Sequence, residues 1–113
     1  MAAYVRKKGV RRYEYYQLVE NRRVEGKPRQ KVLVHLGRHP TVESALTEWP
    51  REIKRLRLFA QGKQEEAERL SEGPADMTRR RTALESAEKA ERRAASLEAN
   101  LKKLRELRKR NVV

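Results

Sequence analysis

Two apolar stripes with helical spacing fill most of the sequence after residue 41, and Gly73 and Pro74 separate them. Both stripes repeat at steps of three and four residues, interrupted only where Lys63 takes a stripe position. This spacing places side chains along one side of a helix. The first is Val42, Leu46, Trp49, Ile53, Leu56, Ala60, Ala67 and Leu70, and the second is Ala83, Ala87, Ala90, Ala94, Leu97, Leu101 and Leu104. Two such segments joined by a Gly-Pro turn predict an antiparallel, coiled-coil helical hairpin.

The helices of this hairpin are expected at about 41–72 and 76–110. Thr41 is the predicted N-cap of the first helix, and Gly73 is the predicted left-handed cap at its C-terminal end. Pro50 lacks a backbone N–H and clashes with the preceding turn, so we expect a kink or a break after Trp49.

The register of the hairpin follows from its short connection, because the ends of the two helices must then meet. Residues 97–104 are therefore expected beside residues 42–56. The alanines of the second stripe are expected beside Leu70.

Before residue 41 the pattern is different, since runs of Val, Tyr and Leu are bounded by Gly and Pro, as in strands. Three antiparallel strands are predicted near 3–7, 11–23 and 29–36, with turns at Lys8–Gly9 and at Glu25–Gly26. A tight turn at Glu25–Gly26 would place Glu20 opposite Lys31 and Val19 opposite Val32. The sequence thus predicts an α+β protein, with a basic β-meander in residues 1–40 and the hairpin in residues 41–113, forming one structural unit.

The two faces of the predicted sheet differ in polarity when strict alternation is applied. The apolar face, expected to pack on a helix, is Tyr13, Tyr15, Val19, Val32, Val34 and Leu36. The polar face is Arg12, Glu14, Tyr16, Arg22, Arg29, Lys31 and His35.

Charge indicates the kind of partner. The chain has 29 Lys and Arg against 16 Asp and Glu, a net charge of +13, and residues 1–40 alone hold 11 against 3. Such an excess favours a polyanion, because phosphate contacts release condensed counterions. A solvated basic surface, a ribosome-like role and a membrane-surface role are the alternatives. Without cysteine, a long apolar run or a secretion signal, the sequence predicts a cytoplasmic protein that does not enter membranes.

Signals for enzymatic chemistry are weak. His35 and His39 have no carboxylate or thiol at metal-ligand spacing, and the serines lie in helical contexts without a nearby histidine. There is no phosphate-cradling glycine loop. We therefore expect a protein that is not an enzyme and has no cofactor or metal.

The basic strands carry the predicted binding site. Arginine binds base edges and phosphates with two hydrogen bonds, tyrosine offers a hydroxyl and a stacking face, and a two-stranded ribbon fits the major groove. The candidate nucleic-acid-binding residues are Arg6, Lys7, Lys8, Arg11, Arg12, Tyr16, Arg22, Arg23, Lys27, Arg29 and Lys31. Further basic clusters occur at Arg79–Arg81 and in the C-terminal sequence KKLRELRKR.

The stretch YYQLVENRRVEGKPRQKVLVHLGR resembles the N-terminal segment of IS4-type (IS1634-like) DDE transposases, with its Tyr-Tyr-x-Leu-Val-Glu strand, glycine turn, Arg-Gln strand and closing Leu-Gly-Arg. In those enzymes the segment precedes a catalytic domain whose acidic residues have no counterpart here. The resemblance implies a DNA-binding module of mobile-element or phage-like origin, with Arg22, Arg23, Arg29 and Lys31 at matching positions. Small bacterial proteins of unknown role that pair this segment with a helical tail look similar.

Three functional hypotheses follow. The first is binding of duplex DNA by the basic face of the sheet, which would associate the protein with the nucleoid. The second is an adaptor or inhibitor whose helical hairpin docks on a protein complex or on a second copy. The third is RNA binding in a ribonucleoprotein.

Overall fold

The computed structural model describes residues 3–10, 12–70 and 73–110. It contains three strands and two long helices: β1 (Ala3–Val10), β2 (Tyr13–Val24), β3 (Lys27–Gly37), α1 (Val42–Arg69) and α2 (Pro74–Lys109). The predicted α+β class is confirmed. The chain forms two compact units, a first unit of Met1–Trp49 with Ala99–Val113 and a second unit of Pro50–Glu98. Among the described helices, none is long and apolar enough to cross a membrane.

The sheet is antiparallel in the order β1-β2-β3. Glu20 pairs with Lys31 and Val19 with Val32, so the predicted register of the second hairpin is confirmed. Its turn has φ of 56° at Glu25 and 77° at Gly26. Two consecutive positive φ values match the right-handed twist of the flanking strands, which explains how this short turn fixes the register.

The first predicted turn, at Lys8–Gly9, is wrong. Both residues lie within β1, where Lys8 pairs with Tyr15 and Gly9 with Glu14. The chain turns at Arg12 instead. Glycine permits a turn without requiring one, and continuing the ladder gives the backbone of residues 8–10 hydrogen-bonding partners on β2.

The predicted faces of the sheet are partly wrong because β3 is irregular. Its pairing with β2 shifts between Leu18 and Val19, where Leu33 is the extra residue on β3, and again between Tyr16 and Gln17. One extra residue reverses the alternation beyond it. Val34 therefore pairs with Leu18 and lies on the opposite face from Val32.

Burial corrects the predicted apolar face further. Tyr13, expected in the core, is 79% exposed, while three consecutive residues of β2, Gln17 to Val19, are buried. Burial of neighbours in a strand means that both faces of the sheet are covered at its centre. The other buried apolar residues of the first unit are Leu33, Val34, Leu36, Val42, Ala45, Trp49, Leu101 and Leu104.

The start of α1 is as predicted. The Ser44 backbone N–H donates to Thr41 Oγ1 at 3.0 Å, which is the N-cap hydrogen bond. Of the kink or break predicted at Pro50, the break is wrong, since α1 continues through it to Arg69, and the kink stays a prediction. Trp49 and Ile53 are buried on either side of Pro50, and burying them stabilises both turns by an amount comparable with the cost of about 3 kcal/mol for an internal proline.

Gly73 does not cap α1, which ends four residues earlier. Its carbonyl instead accepts hydrogen bonds from the N–H groups of Asp76 and Met77, both at 3.0 Å, and so begins α2. Pro74 occupies the first helical position, where its missing N–H costs nothing.

The second unit is held by an alanine seam. Ala60, Ala87 and Ala90 form a buried cluster with Leu56 packed against it. Ion pairs link Arg57 to Glu98 and Arg93 to Glu52. Most residues of the two apolar stripes are buried, and Leu46, Leu56, Leu70 and Leu97 are half-buried. Ala87 and Ala90 pack with Ala60 and not beside Leu70. They are more than about three turns from the start of α2, too far along it to reach the connection.

Candidate nucleic-acid interface

A two-stranded ribbon extends from the sheet beyond its three-stranded part. The first described residue of β1, Ala3, pairs with Glu20, so within the described chain residues 21–24 of β2 pair only with β3. Every residue from 21 to 30 is exposed. We call residues 21–30 the β2–β3 ribbon. At roughly 3.4 Å per residue it extends about 14 Å past Glu20, which exceeds the depth of about 8.5 Å of a B-DNA major groove.

Side chains of directly paired residues share a face, and this places the predicted site residues. One face, which we call the Arg22 face, carries six of the eleven candidates together with Glu14 and Glu20. These six are Lys7, Tyr16, Arg22, Lys27, Arg29 and Lys31. Except for the half-buried Tyr16, they are exposed.

Carboxylates engage two of these cations. Lys7 Nζ lies 3.1 Å from Glu14 Oε1, and this hydrogen bond and charge raise the pKa of Lys7. Arg22 is paired with Glu20.

The remaining cations of the Arg22 face differ from these two. Among the described residues, Lys27, Arg29 and Lys31 make no ion pair. Arg29 also lies directly opposite Arg22 in the ribbon. Like charges opposed in a sheet destabilise it by up to about 1 kcal/mol, so this arrangement favours an anion from outside the chain.

Three candidates lie on the other side of the sheet, which we call the Tyr4 face: Arg6, Lys8 and Arg23. Arg6 is part of a polar row across the strands. Its Nη2 donates to Gln17 Oε1 at 2.7 Å, and Gln17 Nε2 lies 3.3 Å from His35 Nδ1. Arg6 Nε is buried and has no hydrogen-bond partner among the described residues. Arg6 is therefore built into the sheet.

Of the two remaining candidates, one lies in the first turn and the other lies outside the described residues. Arg12 is exposed in the turn between β1 and β2, whereas Arg11 lies outside the described residues. The structure thus brings six of the candidate residues to one face and separates three from them.

The ribbon also carries an amide pair that was not predicted. Asn21 lies opposite Gln30, and Gln30 Nε2 donates to Tyr4 Oη at 2.6 Å. Tyr4 Oη in turn donates to Asn21 Oδ1 at 3.4 Å. The turn at Glu25–Gly26 could have revealed this pair, because it fixes which residues are opposed. A shallow depression of about 280 Å³ is lined by Asn21, Arg22, Arg23, Pro28, Arg29 and Gln30.

Positive charge is concentrated in the first unit. Residues 1–49 and 99–113 hold 17 Lys and Arg against 6 Asp and Glu, whereas residues 50–98 hold 12 against 10. The unit that contains the ribbon therefore carries most of the electrostatic attraction for a polyanion.

Among the described residues, no group of three or more His, Cys, Asp and Glu side chains that could hold a metal ion is present. His39 is buried, with Nδ1 3.0 Å from Ser44 Oγ and its ring edge-on to Trp49 at 6.1 Å. These contacts give His39 a role in fixing the loop before α1.

Comparison with known proteins gives one family. Residues 4–76 match the family described as IS1634 family transposase, N-terminal domain. No curated protein and no solved structure matches the chain significantly. The match covers the whole β2–β3 ribbon and α1.

Proposed function

The chain belongs to the IS1634 transposase N-terminal domain family, and from that premise we propose that it binds double-stranded DNA through the Arg22 face. The β2–β3 ribbon would enter the major groove, and the cations at its base would contact the flanking phosphates. Such binding would associate the protein with the nucleoid. The family match supports a mobile-element origin for the chain.

One observation carries this proposal: Arg22 and Arg29 are opposed on a ribbon that is exposed on both faces. Two strands about 5 Å apart are narrow enough for a groove about 12 Å wide. The opposed guanidinium groups repel each other, and Glu20 offsets part of this repulsion through its ion pair with Arg22. A phosphate or a guanine edge at Arg29 would offset the rest.

Phosphate contacts are expected to supply most of the affinity. Lys27 and Lys31 present point charges, which suit phosphates better than base edges. Arg22 and Arg29 can each bind a phosphate with two hydrogen bonds. Asn21 and Gln30, whose amides match adenine, lie on the Tyr4 face and are hydrogen-bonded to Tyr4.

The test is a titration of a fluorescent DNA duplex at several salt concentrations, comparing the parent chain with an Arg22→Gln and Arg29→Gln double variant. Each lost phosphate contact reduces the slope of log K against log salt by about 0.9, so the double variant should lower the slope by about 1.8. The matched control is Lys54→Gln with Lys89→Gln, which removes the same charge from exposed positions of the second unit. This control should keep the parental slope.

Three other results would contradict the proposal. Equal slopes for the ribbon variant and the control would mean that the ribbon does not contact phosphate. Tighter binding of duplex RNA than of duplex DNA would favour a ribonucleoprotein role. Absence of binding to either nucleic acid would favour docking of the helical hairpin on another protein.

A further inference from the structure

We infer that the outward side of the C-terminal end of α2 is a second phosphate-binding surface for the same DNA. The inference rests on the proposed function, which it extends to residues outside the family match. We call this surface the α2 basic stripe and define it as Lys102, Lys103, Arg105 and Lys109.

Burial shows that these cations lie on the side of the helix that faces away from the core. Leu101 and Leu104 are buried, at 5% and 0% exposure, while all four cations are exposed. Lys102, Arg105 and Lys109 are spaced three and four residues apart, which places them along one line of the helix. A line of cations about 10 Å long can contact successive phosphates of one strand.

The four cations are not used within the described part of the chain. Arg108 Nη1 lies 3.6 Å from Glu43 Oε1 and Arg110 Nη2 lies 3.7 Å from Glu106 Oε2. Among the described residues, no ion pair involves a member of the α2 basic stripe. Glu106, in the same stretch of α2, is paired with Arg110.

Helix stabilisation does not explain the stripe. Cations interact favourably with the helix dipole only within the last turn, which here contains Arg108 and Lys109. Lys102 and Lys103 lie about two turns further from the end, where that effect has vanished.

The stripe belongs to the same compact unit as the sheet, because residues 99–113 belong to the first unit. The family match ends at residue 76. A DNA-contacting surface on α2 would thus be an addition to the matched domain that nevertheless acts in the same unit.

The experiment compares two triple variants with the parent chain in the salt-dependent duplex titration. Lys102→Gln, Lys103→Gln and Arg105→Gln neutralise the stripe outside the last turn, while Lys54→Gln, Arg55→Gln and Lys89→Gln remove the same charge from exposed positions of the second unit. Neutralising the stripe should reduce the slope by up to about 2.7 and weaken binding at least about tenfold at physiological salt. The control triple should leave the slope unchanged, and far-UV circular dichroism should show parental helicity for both.

Two outcomes would overturn the inference while leaving the proposed function intact. One is a stripe variant that binds DNA with the parental slope although the Arg22 and Arg29 variant does not. The other is an equal loss of affinity in both triple variants, which would assign the effect to total charge. If the parent chain fails to bind DNA, the proposed function and this inference fail together.

Discussion

Replacing Ala87 with leucine tests whether the two helices of the second unit meet as closely as the alanine seam indicates. Ala87 is 2% exposed, and its neighbours Ala60 and Ala90 are 0% and 6% exposed. The substitution adds three carbon atoms at a site bounded by small side chains that cannot move aside. We expect the variant to be less stable than the parent.

Two opposing energies decide whether Ala87→Leu raises or lowers the stability of the fold. If space were present, burying three further carbons would stabilise the fold by about 2.4 kcal/mol, at about 0.8 kcal/mol each. If the seam is closed, overpacking costs about 1–3 kcal/mol through displaced backbone and unfavourable rotamers. Since the alanines are already almost fully buried, the second energy should prevail. Tm should then fall by roughly 5–15 °C.

Urea unfolding followed by far-UV circular dichroism measures the difference. Ala95→Leu is the matched control, since Ala95 is exposed on the same helix, and it should change stability by less than about 0.5 kcal/mol. A stabilised Ala87→Leu variant would refute the reasoning, because it would require unfilled space beside the seam.

The remaining predictions concern turns, caps and one titrating group. Gly26→Ala should lower the free energy of unfolding by about 1 kcal/mol because φ is +77° there. Gly62→Ala, in an open position within α1, should raise it by about 0.5–1 kcal/mol. Chemical denaturation measures both changes in stability, and changes of the same sign would contradict the prediction. Thr41→Ala should cost about 1 kcal/mol and Thr41→Ser much less, since serine keeps the capping oxygen; equal losses by calorimetry would show that the hydroxyl is not what matters. Glu14 raises the pKa of Lys7, so the pair's contribution to stability is complete below the ordinary lysine value of 10.5 and is lost as pH rises through the higher folded value; an NMR titration should show the raised pKa in the parent and its return in Glu14→Gln.

Local chemistry was sufficient to predict several elements. The sequence Glu25-Gly26 fixed the pairing of Glu20 with Lys31, because a two-residue turn leaves no freedom of register. Thr41 was identifiable as a cap because its hydroxyl can satisfy a free N–H at the start of a helix. Both features depend on residues that are adjacent or nearly adjacent in the chain.

Features that depend on distant packing were not predicted. The irregularity at Leu33 has no glycine or other local signal, and it allows β3 to bury Leu33 and Val34 in succession. Its cause is the demand for apolar side chains on both faces of the central strand. Likewise, Pro50 weakens α1 locally, but the burial of Trp49 and Ile53 decides the outcome.

In the candidate site, too, local features were predictable and features that depend on distant packing were not. The predicted polar face held both Arg22 and Arg29, and the structure places them opposite each other on the Arg22 face. Arg22 and Arg23 were grouped because they are adjacent in sequence, yet neighbours in a strand point to opposite faces. Strand parity could have made that separation predictable. The Arg6–Gln17–His35 row could not be predicted, because the pairing of Gln17 with His35 depends on the first shift in β3, at Leu33.

The β2–β3 ribbon has a further consequence, since within the described chain neither of its edges is paired with another strand. Bare strand edges recruit other polypeptides, and charged side chains along them prevent such recruitment. We therefore expect Arg22, Arg23, Lys27 and Arg29 to protect the protein from edge-to-edge aggregation. Neutral variants of the ribbon should become less soluble as their concentration rises.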